Sequence, residues 1–173
     1  MFDQIGNMPL HPLVLHAAVV GIPLAVLLAF LFVLPRTRGW ARWAFGLTVL
    51  GATAATFVTR QSGLALQRKL NLQPGTSAAA DLIQKHSQLG GQLFLIMIIF
   101  SAVGVANVLL VSRGSSVAGT TLSAGRRLLD VILLVLLVVI AVMAMIWVIR
   151  VGDLGSRAVW NPSGGEFFIT LPR

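Results

Sequence analysis

The feature that most constrains this chain is a set of four apolar stretches, at about 13–34, 43–59, 89–111 and 128–149; the first three carry no charge and the fourth only Asp130. A hydrocarbon core about 30 Å thick is crossed by roughly 20 helical residues at about 1.5 Å each. Helices satisfy their own backbone in lipid, so four spans joined by connections on alternating sides predict an all-α, up-down-up-down four-helix bundle. Of the 173 residues, 57% are hydrophobic and 10% charged, against roughly 45–50% and about 25% in soluble domains. That excludes a water-soluble domain, a disordered chain and a collagen. The sequence has no Cys, which removes disulfides, thiolate metal sites and a cysteine nucleophile. It also has no Tyr, so interfacial anchoring falls to four Trp.

The first stretch could be mistaken for a cleaved signal peptide, but no Lys or Arg precedes Arg36 and the stretch is longer than such peptides need. It reads as a retained span. The net charge of +8 flanks the apolar runs and suits phospholipid headgroups rather than nucleic acid. The tight loops at 35–42 and 112–127 hold Arg36, Arg38, Arg42, Arg113, Arg126 and Arg127 with no acid. The other side holds seven basic residues, diluted over longer segments by Asp3, Asp81, Asp153 and Glu166. Weighted by loop length, the tight loops are cytoplasmic and both termini outside. The expected organisation is a four-span membrane domain over 1–160 and an outer tail over 161–173.

Small residues crowd the second span (Gly46, Gly51, Ala52, Ala54, Ala55) together with four Thr, a composition that lets helices approach and hydrogen-bond. Ser101 and Gly104 do the same in the third span, and Asn107 is expected to bond a neighbouring helix. Asp130 follows Arg126 and Arg127 by four and three residues and suits a helix start. Pro74-Gly75 marks a turn, with Thr76 or Ser77 capping the next helix. No internal repeat is evident in the residue pattern.

Three histidines exist, His11, His16 and His86, and the topology brings all three to the outer face. Pro12 suits a first helical turn, which puts His11 near the cap and His16 one turn inside. Five residues separate them by about 140° around the helix, so they are not two ligands on one face. His86 and Gly90 share a face four residues apart, and the glycine leaves room for something flat. If the first and third spans sit diagonally in a bundle with edges of about 8–10 Å, their axes lie roughly 11–14 Å apart. A planar macrocycle ligated by His16 and His86, with Gly90 beneath it, fits such a gap, as for b-type haem. The competing readings are a divalent metal held by His11, His16 and His86, with Asp153 as a further candidate, and plain interfacial histidines without a cofactor. No nucleophile–His–acid motif or phosphate loop is present, and nothing points to an enzyme acting on its own. Transport is disfavoured because the span centres offer almost no ionisable groups.

The run Pro9-Leu10-His11-Pro12-Leu13-Val14-Leu15-His16 resembles the "LHPxxVH" opening of a bacterial four-helix membrane family known only as a domain of unknown function (two-two-three-one), with Leu15 in place of Val. Ser62-Gly63 after the second span, His86 before the third, and Gly152-Asp153-Leu154-Gly155 leading to Val159-Trp160 also fit, so the match covers about residues 8–160. Relatives often carry a small residue–His–x–Gly pattern after the fourth span, and Asp153 stands where that His would be. Family members occur alone or beside redox modules such as Rieske or cytochrome domains. The resemblance therefore implies a respiratory or redox setting, and together with the histidine layer it leads to the expectation of a redox-accessory or electron-transfer module of the bacterial inner membrane, working with membrane redox proteins. The alternative is a cofactor-free interaction or assembly subunit of a larger respiratory complex. The topology predicts that a reporter fused after Arg173 reads as external and one inserted in 115–121 as cytoplasmic; the opposite pattern would place the histidines inside.

Overall fold

The computed structural model describes residues 4–5, 8–70, 75–111 and 123–160, so the tail over 161–173 lies outside the described residues. A minimal antiparallel pair, β1 (Gln4–Ile5) with β2 (Met8–Pro9), precedes four helices: α1 (Leu10–Val33), α2 (Arg38–Lys69), α3 (Ala78–Leu110) and α4 (Ala124–Trp160). All four are long and apolar enough to cross a membrane. The protein is an all-α four-helix membrane protein. Helix α1 packs most extensively on α2, and α3 on α4; contacts of α2 with α3 and of α1 with α4 close the ring. That leaves α1 and α3 diagonal. Helices α2, α3 and α4 have 32, 33 and 37 residues, lengths of roughly 48–55 Å at about 1.5 Å per residue. They overrun a core of about 30 Å, and the ends of α2, α3 and α4 nearest the histidines extend past the apolar stretches.

Apolarity does not decide which face turns inward, because lipid tails are as apolar as leucine. The most hydropathic of the four spans, the one within α4, buries the smallest share of its residues. The inward faces are set by fit. The rings of Phe32, Phe45 and Phe100 stack in a row with centroids 5.8 Å apart at both steps. A Cβ on Gly104 would come within 2.9 Å of Phe45 Cζ, so this ring lies directly on the α3 backbone. Thr53 Oγ1 bonds Ser101 Oγ at 2.6 Å and donates to the Met97 carbonyl at 3.1 Å, joining α2 to α3 in mid-bundle. Asn107 Nδ2 donates to Leu133 O on α4 at 2.9 Å. The expected cap is present, with Ala80 N donating to Ser77 Oγ at 3.1 Å. So is the Arg126–Asp130 pair, at 3.5 Å.

The end at which α1 and α3 finish is built from arginine. Arg38 donates to Phe32 O at 3.1 Å and Val33 O at 2.7 Å. Arg42, almost fully buried, donates to Val108 O, and to Val111 O at 2.7 Å. Arg126 reaches Leu110 O. These guanidiniums meet the carbonyls that a helix C-terminus leaves without partners, where its dipole also favours positive charge.

The structure corrects one expectation, because α1–α2 and α3–α4 are repeats of each other. Counting from His11, the α1 residues Ala18, Ile22, Ala25, Ala29 and Phe32 are buried; at the same distances from His86, α3 buries Leu93, Met97, Phe100, Gly104 and Asn107. Counting back from Gly63 and Gly155, Phe45, Val49, Ala52 and Thr56 match Leu137, Ala141, Ala144 and Val148, all buried. The paired residues differ in kind while sharing a role, which hid the repeat. Gly104→Ala is expected to cost about 1–3 kcal/mol, read as a lower unfolding midpoint in detergent, because Phe45 has nowhere to go. Gly51→Ala, with nothing within 4 Å of the new methyl, should be neutral or stabilising by up to about 1 kcal/mol.

Candidate functional site

His11 and His86 top the inward seams of the two diagonal helices. His11, Ala18, Ala25 and Phe32 recur every seven residues, as do His86, Leu93, Phe100 and Asn107, and a seven-residue step returns to nearly the same helix face. Facing them, Gly63 continues the series Arg42, Val49, Thr56 on α2, and Gly155 continues Leu134, Ala141, Val148 on α4. Two imidazoles and two glycines therefore form the layer that ends the bundle interior.

Each imidazole is held in the same way. His11 Nδ1 lies 2.9 Å from Thr59 O, and His86 Nδ1 lies 2.9 Å from Val151 O. A carbonyl only accepts, so in both rings Nδ1 carries a proton, and in the neutral form of each ring Nε2 is the nitrogen with the lone pair. The acceptor stands four residues before the glycine in both repeats. A Cβ on Gly63 would lie 3.0 Å from His11 Cε1 and 3.1 Å from its Nδ1, and one on Gly155 would lie 3.0 and 3.1 Å from the same atoms of His86. The physical reason is local. A helical Cβ leans toward the N-terminus, over the carbonyl four residues back. Glycine removes that cover, so the carbonyl can accept a second hydrogen bond from outside while still bonding its own helix. Ser62 Oγ adds to the first unit, donating to Thr59 O at 3.0 Å and lying 3.3 Å from His11 Nδ1. Thr59 Oγ1 is buried in this layer and has no hydrogen-bond partner.

The remaining sequence candidates fall elsewhere. His16 has an exposed side chain on α1, so the residue of α1 that faces inward with His86 is His11. Gly90 has nothing within 4 Å of its Cβ position; the glycines beneath the imidazoles are Gly63 and Gly155, on the neighbouring helices. Asp153 is exposed and accepts from Arg157 Nε at 3.0 Å, one turn along α4. Among the described residues no group of three or more His, Cys, Asp or Glu could hold a metal ion, so His11, His16 and His86 do not assemble as a triad. The heptad count, run back from the buried seams, is the signal that would have selected His11 over His16.

Burial is the main reason His11 titrates below its usual 6.5; the Thr59 carbonyl opposes it, and repulsion between the two imidazoles when both carry charge adds to the lowering. Below pH 6.5 the unfolded chain takes up a proton that folded His11 still refuses. The stabilising contribution of neutral His11 is therefore complete above pH 6.5 and is lost as pH falls through the lowered value. Thermal unfolding in detergent should show a midpoint that drops between pH 7.5 and 5, and His11→Asn, which keeps a donor for Thr59 O but cannot titrate, should flatten that drop.

Searches among curated proteins and among solved structures find no matching relative. The family model described as "Predicted membrane protein (DUF2231)" matches residues 7–165, a stretch that includes all four helices and both histidine–glycine units. The chain belongs to that family of predicted membrane proteins.

Proposed function

We propose that the histidine end of the bundle holds a b-type haem between His11 and His86, and that the protein is a membrane redox-accessory or electron-transfer module. One observation carries this reading: two inward-facing imidazoles on diagonal helices, each anchored through Nδ1–H to a backbone carbonyl, an anchoring that makes Nε2 the coordinating nitrogen of the neutral ring. Anchoring of that kind fixes tautomer and ring orientation and raises the basicity of the coordinating nitrogen. Haem iron takes axial imidazoles of this form. The donor set also suits haem better than a bare divalent ion, since only two ligands converge and a porphyrin supplies the other four. The partnerless Thr59 hydroxyl is a further reason to expect a ligand here, because a buried unpaired polar group costs about 1–3 kcal/mol.

The haem would supply one-electron transfer. The chain positions it at one end of a bundle whose apolar exterior is suited to lipid. In this reading the protein spans a bacterial inner membrane with both termini outside, and its redox partners are membrane proteins reaching the same face. Protein purified in mild detergent with haem supplied should show a Soret band, and on reduction the sharp visible bands of a six-coordinate b-type haem. His11→Ala and His86→Ala should each abolish that spectrum or convert it to an open-coordinate one, while His16→Ala should leave it unchanged. A colourless preparation, or a spectrum indifferent to both inward histidines, would reject the site and leave the cofactor-free assembly subunit as the better account.

A further inference from the structure

The two repeats share a histidine and a glycine but differ in the residues between carbonyl and glycine. On α2 the segment is Thr59-Arg60-Gln61-Ser62-Gly63; on α4 it is Val151-Gly152-Asp153-Leu154-Gly155. Valine has the shape of threonine without the hydroxyl, so the partnerless Thr59 Oγ1 exists on one side only. Arg60 has no counterpart either, since Gly152 stands at its place with nothing within 4 Å. The Arg60 side chain crosses from α2 toward α3, with Nε 3.7 Å from the Cβ position of Gly91, and makes no ion pair among the described residues. On α4 the only charge in the segment, Asp153, is engaged by Arg157. A ligand gripped by both imidazoles thus has the exposed Arg60 and a buried hydroxyl on the α2 side, whereas on the α4 side Asp153 is paired with Arg157 and Arg150 lies over the Trp147 ring.

Haem b has the same division, with two propionate carboxylates on one edge and only methyl and vinyl groups on the others. We infer that the carboxylate edge is held on the α2 side by Arg60, with the Thr59 hydroxyl as a second donor, and that the apolar edge faces α4. The inference rests on the haem reading above. A guanidinium presents a planar fork that a carboxylate matches with two charge-assisted hydrogen bonds. Arg60 follows directly on the last residue of the second apolar stretch, where a cation close to the hydrocarbon gains most from an anionic partner. A lipid phosphate is the other anion that could serve it, and the two are separable.

The test compares haem b with its dimethyl ester, which lacks both carboxylates, titrated into protein in phospholipid-free detergent. The wild-type protein should bind haem b roughly tenfold or more tightly than the ester, the size expected for a hydrogen bond to a charged group. Arg60→Gln should lose most of that preference, keeping only the small part owed to the Thr59 hydroxyl, and should keep the six-coordinate spectrum, since both imidazoles remain. Arg60→Lys should fall between, and Thr59→Val should narrow the ratio by a smaller factor. If Arg60→Gln keeps the wild-type ratio, Arg60 serves a lipid phosphate and the edge assignment is wrong while the haem reading stands. If it loses both porphyrins alike with its helical circular dichroism intact, the assignment is equally overturned. Failure of the wild-type protein to bind either porphyrin would remove the haem reading itself.

Discussion

Backbone carbonyls in a water-poor interior are strong acceptors, and both ends of this bundle are organised by what donates to them. At one end the carbonyls are the unpaired last turns of α1 and α3, and Arg38, Arg42 and Arg126 supply the donors. At the other end the carbonyls of Thr59 and Val151 belong to continuing helices and already have intrahelical partners. They accept a second bond only because a glycine four residues on leaves them uncovered. The first arrangement closes the helices. The second orients two imidazoles, and the candidate site follows from it: a Cβ at 63 or 155 would lie 3.0 Å from the ring and force it to give way where it bonds the carbonyl.

The internal repeat gives that arrangement its meaning. One histidine bonded to one carbonyl would be an ordinary interfacial contact. Two matching units, related through the pairing of α1–α2 with α3–α4, bring two anchored imidazoles to one end of a single bundle. The repeat is then broken in its side chains, with Thr59, Arg60, Gln61 and Ser62 on α2 against Val151, Gly152, Asp153 and Leu154 on α4. Near-symmetry in the two imidazoles and asymmetry in the surroundings suit a ligand that is itself symmetric at its centre and polar along one edge.

The arginines carry two meanings that the sequence merges. Read as a loop composition, the basic residues of 35–42 and 112–127 orient the chain across the membrane. In the folded protein Arg38, Arg42 and Arg126 also cap helix ends, so their presence there has a structural cause independent of membrane polarity. Loop composition alone therefore overstates how many of these charges report orientation.

Local chemistry was legible in the residues themselves. Apolar stretches near twenty residues long require helices in lipid, Ser77 three residues ahead of Ala80 makes a cap, Arg126 and Asp130 lie one turn apart, and Asn107 needs an acceptor on another helix. Each of these depends on spacing within one segment or on a cost that the segment must avoid. The choice between His11 and His16, and between Gly90 and the pair Gly63 and Gly155, depends on which face of each helix turns inward. In a membrane that face is not marked by hydrophobicity, since lipid and core are equally apolar. Shape decides it, through rings seated on glycines and hydroxyls paired between helices, and shape complementarity exists only once the helices are assembled. The sequence by itself determined that this chain would be a four-helix membrane bundle with histidines near one end; only the tertiary structure decided which two of them meet, because the partners that hold them lie 48 and 65 residues away along the chain.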